Sequence, residues 1–471
     1  MADWKLRLYH HLPPYARDLV ATLHGYELRR WRYGPETKRL VEEALERDRW
    51  TADQWKSYQE GRLEFVLKRA ATQVPYYRQQ WAERQQRGDH ASWRYLENWP
   101  ILEKEALRST PQAFVADDCD TSNMFNEYTS GSTGTPLHLW WSRDTVRRWY
   151  ALMEARIRYW HDTSIHERWA ILGGKIVVPN HANRPPFWVW NAGLNQLYMS
   201  IYHLSSQFRP YYLDAIKRYG ITHIWAYTSA VYDLAVTALE LGHTDTHLKV
   251  VITNAEPVYM YQRTAIEKAF HCQVNETYGM SEIVSTGSQC RSGTLHLWPE
   301  VGITEVERNG QYLDRGESGD LVCTGLFNAD MPLIRYRVGD TGTLSRYLDC
   351  SCGRHMPAIA GIEGRIEDIL YMPDGRPLTK LEAVFKGDFP IREAQIIQES
   401  PTRLRLKYVP SAGFSSDTEN ELLIKLHERV GDMEIVLECV DRIPRMPNGK
   451  FRAMKSMLSP EDRKILGLRE T

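Results

Sequence analysis

Cysteine is scarce: seven in 471 residues, without the density of a disulfide-stapled secreted domain. Long apolar runs are missing as well. No stretch approaches the ~18 residues that a membrane span requires, and mean hydropathy is −0.50. The first thirty residues are broken by charges, histidines and Pro13-Pro14 and hold no signal-peptide core. A cytoplasmic protein is the expectation. Neither sign of charge is in excess: Lys plus Arg is 59, Asp plus Glu is 60, and the net charge is −1. That balance gives no global pull toward nucleic acid or an anionic membrane, and no nucleic-acid partner is expected. Phenylalanine is outnumbered, 11 against 16 Trp and 26 Tyr; such rings either line pockets or pack in cores. Trp188, Trp190, Trp225 and Tyr227 are the pocket candidates among them. There is no internal repeat, no HExxH motif and no nucleophile elbow.

What is present changes along the chain. Residues 1–115 read as helical: ETKRLVEEALERDRW and ADQWKSYQEGRLEFVLKRAATQ carry apolar residues at helical spacing. Val74-Pro75 breaks the second pattern. From about 120 to 345, strand-like runs alternate with helical ones, as in ITHIWAYTS with VYDLAVTALELG, and HLKVVITNAEPV with YMYQRTAIEKAF. This alternation predicts α/β units with parallel strands. The segment 300–348 is richer in strands and turns and predicts a smaller antiparallel unit. Beyond GRIEDIL the pattern becomes a compact α+β domain, with the boundary near 366–369. The fold class is therefore α/β, with a large domain over 1–366 and a small one over 367–471.

Several short motifs invite chemistry. Thr129-Ser130-Gly131-Ser132-Thr133-Gly134 lies between two strand-like runs. Its glycines let a backbone approach phosphate oxygens, and its N–H groups can form an anion nest. The same composition also suits a hydrophilic hairpin turn. It is not a Walker A loop, since no Gly-Lys-Ser/Thr follows. Asp340 ends a strand in RYRVGDTG, or else forms a turn between Gly339 and Thr341, and Lys450 follows Gly449 in PNGK. Cys290 and His296 form C-x5-H, and Cys350 and Cys352 form C-x-C. Three thiolates and an imidazole make a tetrahedral zinc set, with no open position for catalysis. The alternative is four unrelated buried side chains.

TSGSTGTP, NETYGMSE, RYRVGDTG, GRIEDIL and PNGK follow one another in one order. The series resembles the acyl-adenylate-forming (ANL) superfamily. More narrowly it resembles its phenylacetate–coenzyme A ligase-like branch and relatives encoded with capsular-polysaccharide genes (CapK-like). VPYYR at 74–78 and IPRMPNGKFR at 443–452 look like that branch. The resemblance implies a multi-subdomain N-terminal adenylation domain and a mobile C-terminal domain. It implies ATP or AMP contacts from Ser130, Gly131, Ser132, Thr133 and Gly134, from Asn254, Ala255 and Glu256, from Thr277, Tyr278, Gly279 and Ser281, and from Asp340 and Arg365. Glu282 is implied as the magnesium ligand, Lys450 as the catalytic lysine and Glu367 as the hinge. Zinc would be structural, on Cys290, His296, Cys350 and Cys352. Leu137 stands where the superfamily often has lysine, so no charge contact is assigned there.

The implied activity is ATP-dependent activation of a carboxylic acid as acyl-AMP, then acyl transfer, with coenzyme A the leading acceptor. The family name suggests an aryl acid. An amine or hydroxyl of a sugar or small metabolite is the second acceptor, and a non-catalytic scaffold retaining the fold is the reading from another class.

Overall fold

Val250–Asn254 is rich in β-branched residues, and its first four are buried. Such a run suits a central parallel strand covered on both faces. In the computed structural model, which describes residues 8–129, 136–365, 369–378, 390–411, 413–446 and 448–468, this strand lies parallel to His223–Tyr227 on one side and Gln273–Gly279 on the other. Trp169–Gly173 and Gln196–Ser200 extend the parallel set. Tyr227, Asn254 and Gly279 thus come together at carboxyl ends, where open α/β sheets collect their ligands. The helix Thr228–Leu241 follows directly on the strand His223–Tyr227. It is buried on most of its faces and stops at Gly242, whose φ of +69° is left-handed.

Beyond Gly279 the sheet changes sense. Thr286–Gln289 pairs antiparallel with Gln273–Gly279, and Leu295–Leu297 pairs with Thr286–Gln289. The later strands, out to Ala358–Arg365, continue the same sheet to thirteen strands among the described residues. The antiparallel arrangement expected over 300–348 is there; its continuity with the main sheet was not expected. The strands are present, but the 286–297 hairpin hydrogen-bonds them into the main sheet. Strand periodicity reveals an element and not its partner.

The N-terminal region is helical: Pro14–Arg32, Thr37–Arg47, Ala52–Gln73 and Pro75–Gln86. The break at Val74 is one residue long. Val74 ends one helix and opens the next, with Pro75 at its first position, where a missing N–H costs nothing. Val66, Leu67, Tyr77 and Trp99 from this region share a core with Tyr336 and Val338 of the sheet.

After residue 369 the chain forms a four-stranded sheet around the hairpin Ile391–Ser400 and Arg403–Pro410. The helix Ser416–Val430 covers it, capped by the Ser415 side chain, which accepts from the Thr418 N–H. Leu404, Leu406, Leu422 and Leu426 form its own core. The molecule is a large mixed α/β body with a small α+β domain. The expected boundary and Glu367 fall on 366–368, outside the described residues. No helix among the described residues is long and apolar enough to cross a membrane.

Candidate active site and metal centre

The carboxyl ends of the parallel strands open on a cavity of about 2070 Å³. Its polar wall comes from distant segments. Asp340 is buried midway along the strand Tyr336–Leu344, opposite Arg365, and neither ends a strand nor sits in a turn as the sequence suggested. Tyr278 OH donates to Asp340 Oδ2 at 3.0 Å, and Arg365 Nε meets Asp340 Oδ1 at 2.8 Å. Burial, with the Asp340 charge beside it, holds the Tyr278 phenol well above its ordinary range, so it stays a neutral donor.

Glu282 is buried, and Tyr336 OH donates to its Oε1 at 2.9 Å. Lys104 Nζ stands 3.9 Å from the same oxygen. A buried carboxylate on the cavity wall, held along one edge by neutral and cationic donors, suits a hard cation such as magnesium. The next residue, Ile283, has φ +50°, an outlier for a β-branched side chain. Ala255, on the facing loop, has φ +65°. Backbone strain of this kind clusters at functional sites.

Asn254 ends the strand Val250–Asn254, opposite Tyr227 of the neighbouring strand. Its amide is oriented to accept from Trp225 Nε1 at 3.3 Å and to donate to the Ala226 carbonyl at 3.1 Å. Thr277 Oγ1 donates to the Thr253 carbonyl at 2.7 Å. Gly279 and Ser281 line the cavity. Glu256 is buried with both carboxylate oxygens engaged: Oε2 accepts from Ser229 N–H at 2.7 Å, and Oε1 from Ser229 Oγ at 3.1 Å and Phe451 N–H at 2.5 Å. Lys450 projects from the C-terminal domain onto the same cavity, its Nζ 6.0 Å from the Tyr227 ring centroid. Burial and then Arg365 push its pKa down, while Glu256 and Asp340 oppose the shift. Ser130, Gly131, Ser132, Thr133 and Gly134 lie outside the described residues. The strands flanking them, Phe125–Tyr128 and His138–Trp141, pair antiparallel, and Thr129 Oγ1 accepts from Leu137 N–H at 2.9 Å.

The cavity's other wall is apolar: Trp141, Trp149, Met153, Ile157, Trp225 and Trp298. Of the ring candidates, Trp225 is there. Trp188 packs on Tyr212 with ring centroids 5.7 Å apart, and Trp190 stacks on Tyr219 at 5.4 Å. Sequence reasoning missed Lys104, Tyr336 and Ser229. Each acts on a partner far along the chain, and no local signal marks them.

Cys290, His296, Cys350 and Cys352 converge with their ligand atoms within 4.8 Å of one another. Cys290 Sγ and Cys350 Sγ are 3.8 Å apart, and Cys352 Sγ is 3.3 Å from His296 Nε2. A tetrahedral zinc with its usual bond lengths would set these separations at ~3.8 and ~3.6 Å. Burial would raise the Cys350 thiol, yet the Thr294 hydroxyl and the Cys352 N–H hold it down to about 7. The donor set fits zinc.

The AMP-binding enzyme family matches residues 56–330, and the CapK C-terminal domain matches 370–457. The chain is 24% identical to Protein CapK of Staphylococcus aureus, over 94% of this chain and 98% of that protein. It is 26% identical to the phenylacetate-coenzyme A ligase of Pseudomonas putida, over 68% of this chain and 72% of the ligase. The crystal structure of 2-hydroxyisobutyryl-CoA ligase in the postadenylation state, in complex with R3-HIB-AMP, superposes with a TM-score of 0.68 at 21% identity, over 89% of this chain and 93% of the ligase. The same ligase in its thioesterification state, with 2-HIB-AMP and CoA, gives 0.52 at 20% identity over the same shares.

Proposed function

Because the chain belongs to the AMP-binding enzyme family, we propose that it is an AMP-forming ligase that activates a carboxylic acid with ATP and passes the acyl group to coenzyme A. One observation carries this reading. Glu282, Asp340, Arg365 and Lys450 come from separate segments, yet all border one cavity at the carboxyl ends of the sheet. In the first half-reaction an oxygen of the acid attacks the α-phosphorus of ATP. The bond from that phosphorus to the bridging oxygen breaks, and pyrophosphate leaves with the electron pair. Lys450 places its ammonium between the two anions as they approach and stabilises the charge that builds on the phosphorus oxygens. Asp340 takes the ribose hydroxyls, oriented for this by Tyr278 and Arg365. Glu282 would hold magnesium, which would supply positive charge to offset that on the departing pyrophosphate. In the second half-reaction a thiolate attacks the acyl carbon and AMP leaves. Zinc on the Cys/His group would be structural.

The tryptophan-lined wall supports an acid with a bulky apolar group, an aryl acid among them. An amine or hydroxyl acceptor is the second reading. The likeness to the Pseudomonas ligase is partial, so coenzyme A does not carry over from it by similarity alone. A panel of aryl and aliphatic acids, each assayed for pyrophosphate release with hydroxylamine as trap, with and without coenzyme A, tests both points. Hydroxamate formation from an aryl acid, replaced by thioester when coenzyme A is added, is expected. No pyrophosphate from any acid would favour a non-catalytic scaffold.

A further inference from the structure

The turn that carries Lys450 is closed on itself. Gly449 N–H donates to the Met446 carbonyl at 2.7 Å, Met446 N–H to the Lys450 carbonyl at 2.9 Å, and Lys450 N–H to Asn448 Oδ1 at 3.2 Å. A turn so braced moves as a unit, and what it docks against decides where the ammonium stands. Its seat on the large domain is tight. A Cβ on Gly174 would lie 2.6 Å from the Asn448 carbonyl oxygen, and a Cβ on Gly449, at φ +81°, would lie 2.1 Å from Ile201 Cδ1.

Beside this apolar seat stands one buried carboxylate. Glu256 Oε1 accepts the N–H of Phe451, the residue after Lys450. On its other side Glu256 is anchored at the first turn of the helix Thr228–Leu241 by Ser229 N–H and Ser229 Oγ, and Thr228 Oγ1 donates to its carbonyl at 3.2 Å. A carboxylate at a helix N-terminus is stabilised by the unpaired N–H groups and the dipole there. The anchoring donors belong to the large domain and stay when the small domain leaves. The charge is therefore never stripped of partners, and opening the contact costs about one hydrogen bond.

We propose that Glu256 is the positioning residue for Lys450: its carboxylate latches the lysine-bearing turn onto the helix Thr228–Leu241 for the first half-reaction and releases it for the second. The consequence for catalysis rests on the adenylation reading above; the latch itself rests on the contacts. Glu256 then acts from behind the lysine, through the backbone, without touching the reacting atoms.

The test uses the full chain and the variants Glu256→Ala, Glu256→Gln and Ser229→Ala. Lys450 is acetylated with an N-hydroxysuccinimide ester, and its rate is read by peptide mass spectrometry against the other lysines. Glu256→Ala should label at Lys450 about tenfold faster than wild type, the scale of one lost hydrogen bond to a charged group, and Glu256→Gln, whose amide oxygen can still accept one of the two N–H groups, should label faster by less. The other lysines should not change. Ser229→Ala, which keeps the Phe451 contact, should label like wild type. With an acid accepted by the wild type, Glu256→Ala should release pyrophosphate about tenfold more slowly, and Glu256→Gln should show a smaller loss. Transfer from a supplied synthetic acyl-adenylate should fall by much less than pyrophosphate release. Unchanged Lys450 labelling in both Glu256 variants overturns the latch. So does a proportional loss of both half-reactions accompanied by a fall in Tm, which is what a purely structural helix cap would give. If Glu256→Ala does not fold, the isosteric Gln variant carries the comparison. Faster labelling in a protein whose wild type adenylates no acid supports the latch and rejects the adenylation reading.

Discussion

Lys450 stands where a positive charge is costly. Burial and Arg365 both disfavour the ammonium, and only Glu256 and Asp340 oppose them. A cation in such a place gains most when two anions meet beside it, as they do while acyl-AMP forms. Lys450→Ala should therefore slow pyrophosphate release by a hundredfold or more, on the order of 3 kcal/mol. ATP binding by titration calorimetry and Tm should stay near wild type. Near-normal pyrophosphate release from the folded variant would remove Lys450 from the chemistry. The lysine was legible in the sequence because PNGK is a short, local motif. The groups that place Glu282 and Glu256 were not. Tyr336 lies 54 residues from Glu282, and Ser229 lies 27 from Glu256. Each reaches its partner only once the strands have paired.

The metal group belongs to the scale of elements, because each half is built into a tight turn. Gly293 N–H donates to the Cys290 carbonyl and Gly353 N–H to the Cys350 carbonyl, both at 2.9 Å, with φ of +84° and +79° at the two glycines. Cys352 N–H points at Cys350 Sγ from 3.5 Å. An ion here would pin the 350–353 turn to the 286–297 hairpin, under a lid of Trp55, Trp160 and Met356. Purified protein should hold about one zinc per chain by atomic emission. Cys350→Ser should lower metal content and Tm together, at about 2–4 °C per kcal/mol lost, because metal binding and folding are coupled. Stable protein without metal, unmoved by a chelator, would refute the site. These ligands were legible because they come as two close pairs. That the two pairs share one site was expected as well; the strand pairing that joins them, Leu295–Leu297 with Ala358–Arg365, was not.

At the scale of the whole molecule, one helix meets the small domain along its length. Thr228–Leu241 holds Glu256 at its start, Asp233 one turn on and Glu240 at its end. Asp233 pairs with Arg209 at 2.8 Å and faces Arg445 at 3.9 Å, which itself holds Glu393 at 2.6 Å. Burial, against Arg209 and with Glu393 adding to it, raises the Asp233 pKa from 3.8 to about 6. The folded state then keeps a proton that the unfolded chain releases. Its contribution to stability is fully present below pH 3.8 and is lost as pH rises through about 6. Relative to Asp233→Asn, wild type should lose stability between those two values, read as Tm across a pH series. Parallel Tm curves for the two proteins would show that Asp233 does not titrate there.

The far end of the same helix tests the docking itself. Arg392, on the first strand of the small domain's sheet, meets Glu240 Oε1 at 2.9 Å, and the two side chains are 29% and 52% exposed. So exposed a pair is worth about 0–1 kcal/mol, and reversing one charge turns it into a repulsion of similar size. Arg392→Glu should therefore disfavour the docked arrangement and slow adenylation about three- to tenfold at low ionic strength. Transfer from a supplied acyl-adenylate should not fall, since it does not need this contact. Raising salt should shrink the difference, because screening reaches exposed charges first. The swap Glu240→Lys with Arg392→Glu should restore the rate, which a general loss of folding could not explain. An Arg392→Glu protein that adenylates at the wild-type rate in low salt, or a swap that fails to rescue it, would mean that the helix does not guide the small domain into place.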